Sequence, residues 1–176
     1  MDKPTVVITG GSSGIGKALA KEFVRKGANV IIGARKKEIL EKTQRELSAL
    51  CTAGNTVHSY ELDVSNEKSI AGFIQNCVKD NRTIDILINC AGIAVCKEIE
   101  NTLSEEYKDT AAINYLGTVL TVRHALPYIK KNAHSRIVNI SSMAGIMGVY
   151  GYSAYTPSKY AVVGFSEVLR AELIPY

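Results

Sequence analysis

No stretch of the 176 residues approaches the roughly 20 consecutive apolar positions that a membrane-crossing helix needs. Behind the opening Met-Asp-Lys-Pro there is no apolar core of the kind that makes a secretory signal. Charge of one sign is also missing. Lys and Arg number 21 against 17 Asp and Glu, a net +4, and the basic residues are scattered rather than gathered in a stripe. Nucleic acid is therefore not an expected partner. The four cysteines (51, 77, 90 and 96) form no Cys-x-x-Cys pair, and His58, His124 and His134 are not spaced with them as zinc ligands. No metal site is expected, and the thiols suit a reducing, cytoplasmic setting. With no internal repeat, low-complexity segment or linker, residues 1–176 are expected to form one domain, and a chain of this size buries roughly 70% of its unfolded surface.

What is present is alternation. Short runs rich in Val and Ile predict strands at 4–9, 29–34, 56–61, 84–88 and 136–141. Helical patterns fall between them at 14–26, 36–50, 66–80 and 103–131, with a last one at 153–174. Such alternation predicts an α/β fold: a doubly wound parallel sheet of Rossmann type with helices on both faces. By analogy with such folds the strand order is 3-2-1-4-5, with a ligand across the carboxyl ends of the strands.

The first strand runs into Thr9-Gly10-Gly11-Ser12-Ser13-Gly14-Ile15-Gly16 and then a helix. A buried strand, a glycine-rich turn and a helix N-terminus together make a pyrophosphate site, because backbone N–H groups and the positive end of the helix dipole point at the anion. A plain strand-to-helix turn is the competing reading. Far downstream, Tyr155 and Lys159 stand four apart on one helix face. That pairing lets the ammonium stabilise a tyrosinate and so lower the phenol pKa. A nearby serine hydroxyl would hold a carbonyl oxygen whose charge changes during hydride transfer.

In this order, the glycine motif, Asp63-Val64, Asn89-Cys90-Ala91-Gly92, Asn114-Tyr115-Leu116-Gly117, Asn139-Ile140-Ser141-Ser142 and Tyr155-x-x-x-Lys159 resemble the short-chain dehydrogenase/reductase family from Thr9 to about Tyr176. The resemblance implies that Tyr155 protonates the substrate carbonyl in the reducing direction. Lys159 would assist it and hold the nicotinamide ribose. Ser142 would bind the substrate oxygen, with Ser141 a bystander, and Asn114 would bend its helix and order a water linked to the lysine. It also implies cofactor contacts from Thr9, Gly10, Ser12, Ser13, Gly14, Ile15 and Gly16, from Asp63 and Val64 at the adenine, and from Asn89, Ala91 and Gly92 beside the ribose. Asp63 also reads as a cap for the helix near Asn66, Asn114 as an exposed helix polar residue, and Cys90 as a small buried side chain. Tyr152 has Thr156, not lysine, four residues on, and reads as a decoy.

Where an NAD-type acid would stand at the end of the second strand there is Ala34, followed by Arg35, Lys36 and Lys37, with no carboxylate to oppose them. Arg35, and more weakly Lys36, suit a 2′-phosphate, which favours NADP(H); a solvated basic helix start is the alternative. Pro157 is tolerated only in a first helical turn, so the last helix should begin near Ser153.

Segments such as 89–95, 113–119 and 151–159 are similar to the 3-ketodihydrosphingosine reductase branch, implying a long-chain sphingoid ketone as substrate, with 3-oxoacyl thioesters, sterols or small ketones as alternatives. Eukaryotic members of that branch are tied to a membrane, but this sequence shows no span or anchor, so a soluble or peripheral enzyme is the expectation here. The family continues beyond a fifth strand and its following helix, where this sequence stops. A truncated NADP-binding, dimerising module without turnover is therefore a second expectation. Family members pair as dimers or tetramers through helices 103–131 and 153–174, with Leu103, Tyr107, Leu120, Leu126, Val163, Phe165 and Leu169 serving sheet or partner.

Overall fold

The computed structural model describes residues 3–52, 54–79 and 83–174. Residue 80, expected as the end of a helix, and the final Pro-Tyr lie outside the described residues.

Five parallel strands, β1 Thr5–Thr9, β2 Asn29–Ala34, β3 Val57–Glu61, β4 Ile86–Asn89 and β5 Arg136–Asn139, lie in the order β3-β2-β1-β4-β5. All of β1 is buried, as a central strand covered on both faces must be. The period-two alternation of side chains divides the core in two. Val7, Ile31 and Leu87 face a cluster with Phe73, Ile74, Val122 and Ala125. Val6, Ile8, Val30, Ile32 and Ile88 face Ala20, Val24, Leu40 and Leu47 on the other side. The first face is covered by α3 (Glu67–Cys77), α5 (Gly117–Ile129) and α6 (Tyr155–Glu172), the second by α1 (Gly14–Arg25) and α2 (Lys37–Ser48). This is the doubly wound Rossmann architecture in the expected strand order. No helix of the described residues is long and apolar enough to cross a membrane.

Several boundaries differ from expectation. The fourth strand is 86–89 rather than 84–88, because Asp85 is a side-chain clamp: its carboxylate accepts from the Thr5 amide at 2.7 Å and from Asn132 Nδ2 at 2.7 Å. The predicted helix 103–131 is three pieces: α4 (Ser104–Thr110), a π segment (Ala111–Leu116) and α5. The last helix begins at Tyr155, so Pro157 is its third residue, still in the first turn where its missing N–H leaves no gap.

Candidate active site

The carboxyl ends of β1, β2 and β4 open into one groove. At its floor the Gly10 amide donates to the Gly33 carbonyl at 2.8 Å, folding the glycine-rich turn back onto β2. Gly10 has φ +71°, which L side chains rarely adopt, and a Cβ there would stand 2.8 Å from Ala91 Cα. A Cβ on Gly16 would lie 2.4 Å from the Gly10 carbonyl oxygen. Thr43, on α2, donates to the Ser12 carbonyl at 3.1 Å and pins the turn from outside. Ser13 caps α1 in extended backbone, and no acidic residue occupies the first turn, so the helix end keeps its positive potential.

One half of the groove is lined by Ser12, Ser13, Arg35, Lys36, Asp63 and Val64. The other half is lined by Gly14, Ile15, Gly16, Cys90, Tyr155 and Lys159, and both share Gly10, Ser13, Ala91, Gly92 and Ile93. Two expected residues stand behind this surface. Thr9 is buried, its hydroxyl accepting from the Cys90 and Ala91 amides at 3.1 Å each. Asn89 donates to Asn139 Oδ1 at 2.9 Å across the sheet, with its own Oδ1 buried and unpartnered. Both fix the loop that carries Ala91 and Gly92 rather than line the groove.

Asp63 does not cap the helix. That place belongs to Asn66, whose Oδ1 accepts from the Lys68 and Ser69 amides. Asp63 instead accepts from Ser65 Oγ at 2.7 Å and the Ser65 amide at 2.9 Å. Those bonds, with a smaller pull from Arg35, hold its carboxyl below the usual carboxylate range. The expectation that no carboxylate opposes Arg35 is therefore corrected. Pairing Ala34 with Glu61 sets the end of β3 beside that of β2 and brings Asp63 within reach.

At the far end, Lys159 is buried at 6% exposure and donates from Nζ to the Ile140 carbonyl at 2.8 Å. Burial lowers its pKa, partly offset by the neighbouring Cys90. Cys90 in turn is raised by burial, against the pull of Lys159. The Lys159 ammonium stands 5.7 Å from the Tyr155 ring centroid. β5 ends at Asn139, two residues short of the predicted 141: the Ile140 amide still donates to the Asn89 carbonyl at 2.9 Å, but its own carbonyl accepts from Lys159.

Ser141 and Ser142 go opposite ways. Ser141 donates to the Lys159 carbonyl at 3.1 Å and lines the dinucleotide groove. Ser142 lines a separate hollow with Ala94, Met143, Val149, Tyr152 and Tyr155, its Oγ accepting from the Ala144 amide at 3.2 Å. Tyr152 is no bystander: its ring meets that of Tyr155 at 5.6 Å between centroids, tilted 56°. The two rings are three residues apart on the helical turn leading into α6, where the Thr156 amide donates to the Tyr152 carbonyl at 2.9 Å.

Asn114 is 1% exposed, not a surface residue. Its Oδ1 accepts from the Ile93 amide at 2.8 Å, and its Nδ2 donates to the Ile93 carbonyl at 2.9 Å and to Ser158 Oγ at 3.0 Å. Ile93 itself was not expected at the site, although it directly follows the Asn89–Gly92 motif. Among the described residues no group of three or more His, Cys, Asp or Glu is placed to hold a metal ion.

Comparison with known proteins agrees with this geometry. The pattern of the short chain dehydrogenases matches residues 4–176. A 3-dehydrosphinganine reductase of Danio rerio is 35% identical over 173 residues, 97% of this chain and 52% of that protein. The uncharacterized oxidoreductase YusZ of Bacillus subtilis is 37% identical over 176 residues, all of this chain and 62% of that protein. The chain thus spans little more than half the length of these relatives. Among solved structures, actinorhodin polyketide ketoreductase with NADPH superposes with a TM-score of 0.92 at 29% identity, over 98% of this chain and 66% of that one. An alcohol dehydrogenase of Thermococcus sibiricus complexed with 5-hydroxy-NADP gives 0.90 at 27% identity, over 97% and 72%. With the family pattern matched over almost its whole length, the chain belongs to the short chain dehydrogenase family.

Proposed function

We propose that this chain forms the cofactor-binding and proton-donating part of an NADPH-dependent ketone reductase, with 3-ketodihydrosphingosine the favoured substrate. The observation that carries the reading is the convergence of Tyr155, Lys159 and Ser142 where the dinucleotide groove meets an apolar-walled hollow. The groove fits NADP(H): Gly10 and Gly16 let the turn pack backbone on backbone, Gly14 leaves open space at the start of α1, and Arg35 and Lys36 supply cations for a 2′-phosphate. The bound nicotinamide supplies the hydride.

The remaining work falls to side chains. Ser142 Oγ donates to the ketone oxygen and holds it beside Tyr155. The Tyr155 hydroxyl gives its proton to that oxygen as negative charge builds there, and Lys159 stabilises the phenolate left behind. Asn114 holds the Gly92–Ile93 turn and, by family resemblance, the water that returns the proton. Met143 and Val149 line the hollow beside these polar groups, which suits a ketone on a hydrocarbon chain. Relatives named 3-ketodihydrosphingosine reductase favour the sphingoid ketone; the equally similar bacterial oxidoreductases carry no substrate in their names, and a 3-oxoacyl thioester, a sterol or a small ketone is the alternative.

Pairing as a dimer or tetramer through helices 103–131 and 153–174 is supported by exposed Leu103, Leu116, Tyr160 and Val168, whereas Leu120, Phe165 and Leu169 pack into the core. No helix of the described residues is a membrane span, so a sphingoid ketone would be met in solution or at a membrane surface.

The test is a fluorescence titration with NADPH and NADH, followed by turnover of 3-ketosphinganine against a 3-oxoacyl thioester. NADPH should bind about tenfold or more tighter, a preference that Arg35→Ala removes, since a charge-assisted bond contributes about 1.5–3 kcal/mol. Equal affinity for NADH would sink the cofactor assignment; faster turnover of the thioester would sink the substrate assignment.

A further inference from the structure

Ser158 lies outside the groove and hollow that hold the other polar groups of the site. It is 5% exposed, on the first turn of α6, between Pro157 and Lys159. Its single hydroxyl proton goes to the Tyr155 carbonyl at 2.6 Å. Its lone pairs then face outward from the helix, and one accepts from Asn114 Nδ2 at 3.0 Å. The second Nδ2 proton goes to the Ile93 carbonyl, and Oδ1 takes the Ile93 amide. Every hydrogen of that buried amide is thus committed. The Asn114 main-chain carbonyl, in the π segment, accepts from Thr118 Oγ1 at 2.9 Å.

The chain of bonds Tyr155 O, Ser158 Oγ, Asn114 Nδ2 and Ile93 O crosses between two parts of the site that share no strand. One part is α6, which carries Tyr155 and Lys159. The other is the Gly92–Ile93 turn against which the dinucleotide lies. The fit between them is close: a Cβ on Gly92 would stand 3.1 Å from Asn114 Oδ1 and 3.7 Å from Lys159 Nζ. Ile93 lines both halves of the groove.

We infer that Ser158 is a positioning residue: through Asn114 it sets the register of the Tyr155–Lys159 helix against the cofactor-bearing turn, and with it the geometry of hydride and proton transfer. The inference rests on the proposed reductase reading for its effect on rate, though not for the bond network itself. Serine is suited because the site needs a donor and an acceptor on one small atom. Alanine removes one oxygen and leaves one Asn114 N–H buried and unpaired.

The experiment compares the parent chain with Ser158→Ala and Ser158→Thr, each bound to NADPH. The primary readout is proton exchange at the Asn114 side-chain amide, followed by NMR. In Ser158→Ala one of the two Nδ2 protons should exchange at least about tenfold faster, while its partner, held by the Ile93 carbonyl, keeps its protection; threonine should restore both. In turnover, kcat should fall by about ten- to a hundredfold in Ser158→Ala, the scale set by a displacement of up to 1 Å. The NADPH dissociation constant should stay within about threefold, because the phosphate contacts lie elsewhere. The deuterium isotope effect from 4-deuterated NADPH should rise on kcat, and threonine should recover the rate. Unchanged exchange at both protons would overturn the inference. So would a rate that falls only with the folded fraction, at an unchanged isotope effect. If the parent chain turns over no ketone, the exchange result alone decides for Ser158, and the failure belongs to the reductase reading.

Discussion

Replacing Gly16 by alanine sets two effects of opposite sign against each other. Gly16 is buried in the first turn of α1, where alanine gains about 1 kcal/mol of helix propensity. Against that, its Cβ would stand 2.4 Å from the Gly10 carbonyl oxygen and 2.9 Å from the Gly10 carbonyl carbon. A comfortable C···O contact is about 3.3 Å, so backbone must move by about 0.9 Å. The atom in the way is not a side-chain tip that can swing aside. It belongs to the turn held by the Gly10 amide on the Gly33 carbonyl at 2.8 Å. Overpacking of this kind costs about 1–3 kcal/mol, so the steric effect should win. Moving the turn raises the NADPH dissociation constant, and whatever strain remains lowers stability. Because the obstacle is fixed backbone, the cost belongs in the upper part of that range, and with the propensity gain subtracted about 1–2 kcal/mol remains, which predicts about a 5- to 30-fold weaker Kd, or a Tm lower by about 2–8 °C, or a mixture summing to the same energy. Gly148→Ala is the control, since nothing lies within 4 Å of a Cβ there; its effect should stay within about 0.5 kcal/mol. The assays are NADPH fluorescence titration and a thermal melt on all three proteins. Gly16→Ala binding and melting like the parent would refute the claim that the turn is closed by backbone contact.

Other outcomes follow from named contacts. Burial holds the Lys159 pKa below its ordinary 10.5, so the folded protein binds fewer protons than the unfolded chain between the lowered value and 10.5. Stability from this group is then present above 10.5 and lost as pH falls through the lowered value. Denaturant midpoints across the alkaline range should show that rise in the parent and a flatter curve in Lys159→Met. Asn66→Ala removes an oxygen that accepts from two amides at the start of α3, and should cost about 1 kcal/mol, read as a Tm lower by about 2–4 °C. Cys96 is exposed whereas the Cys90 thiol is raised by burial within the groove. Iodoacetamide should therefore label Cys96 first by mass spectrometry, and NADPH should slow only the Cys90 reaction.

Much of the fold was legible because its signals are local and periodic. The runs at β1 and β2 are read almost to the residue, since a strand buried on both faces is a continuous apolar run closed by glycine or a basic residue. The start of β4 was displaced by Asp85, whose bonds to Thr5 and Asn132 join segments 80 and 47 residues apart. The π segment was invisible for a different reason. Hydrophobic periodicity over 103–131 cannot register one extra residue in a turn, and only the packing of Asn114 against Ile93 makes that turn worthwhile. At the site, the expected residues of the glycine turn, Arg35 and Lys159 line one groove. Ser158 escaped notice because its partner Asn114 is set by a helix crossing, which has no sequence period, whereas Tyr152, read as a decoy for the tyrosine of the motif, stands beside Tyr155 at the start of α6.

The central claim, that Tyr155 beside Lys159 delivers the proton in an NADPH-dependent ketone reduction, is tested most directly by loss of NADPH absorbance with 3-ketosphinganine in the parent and in Tyr155→Phe. The account predicts turnover in the parent and a fall of about a hundredfold or more in the variant, at an NADPH affinity within about twofold, because a positioned general acid contributes about 10²–10⁴ in rate. Equal turnover in the two proteins, or none in a parent chain that binds NADPH tightly, would contradict it.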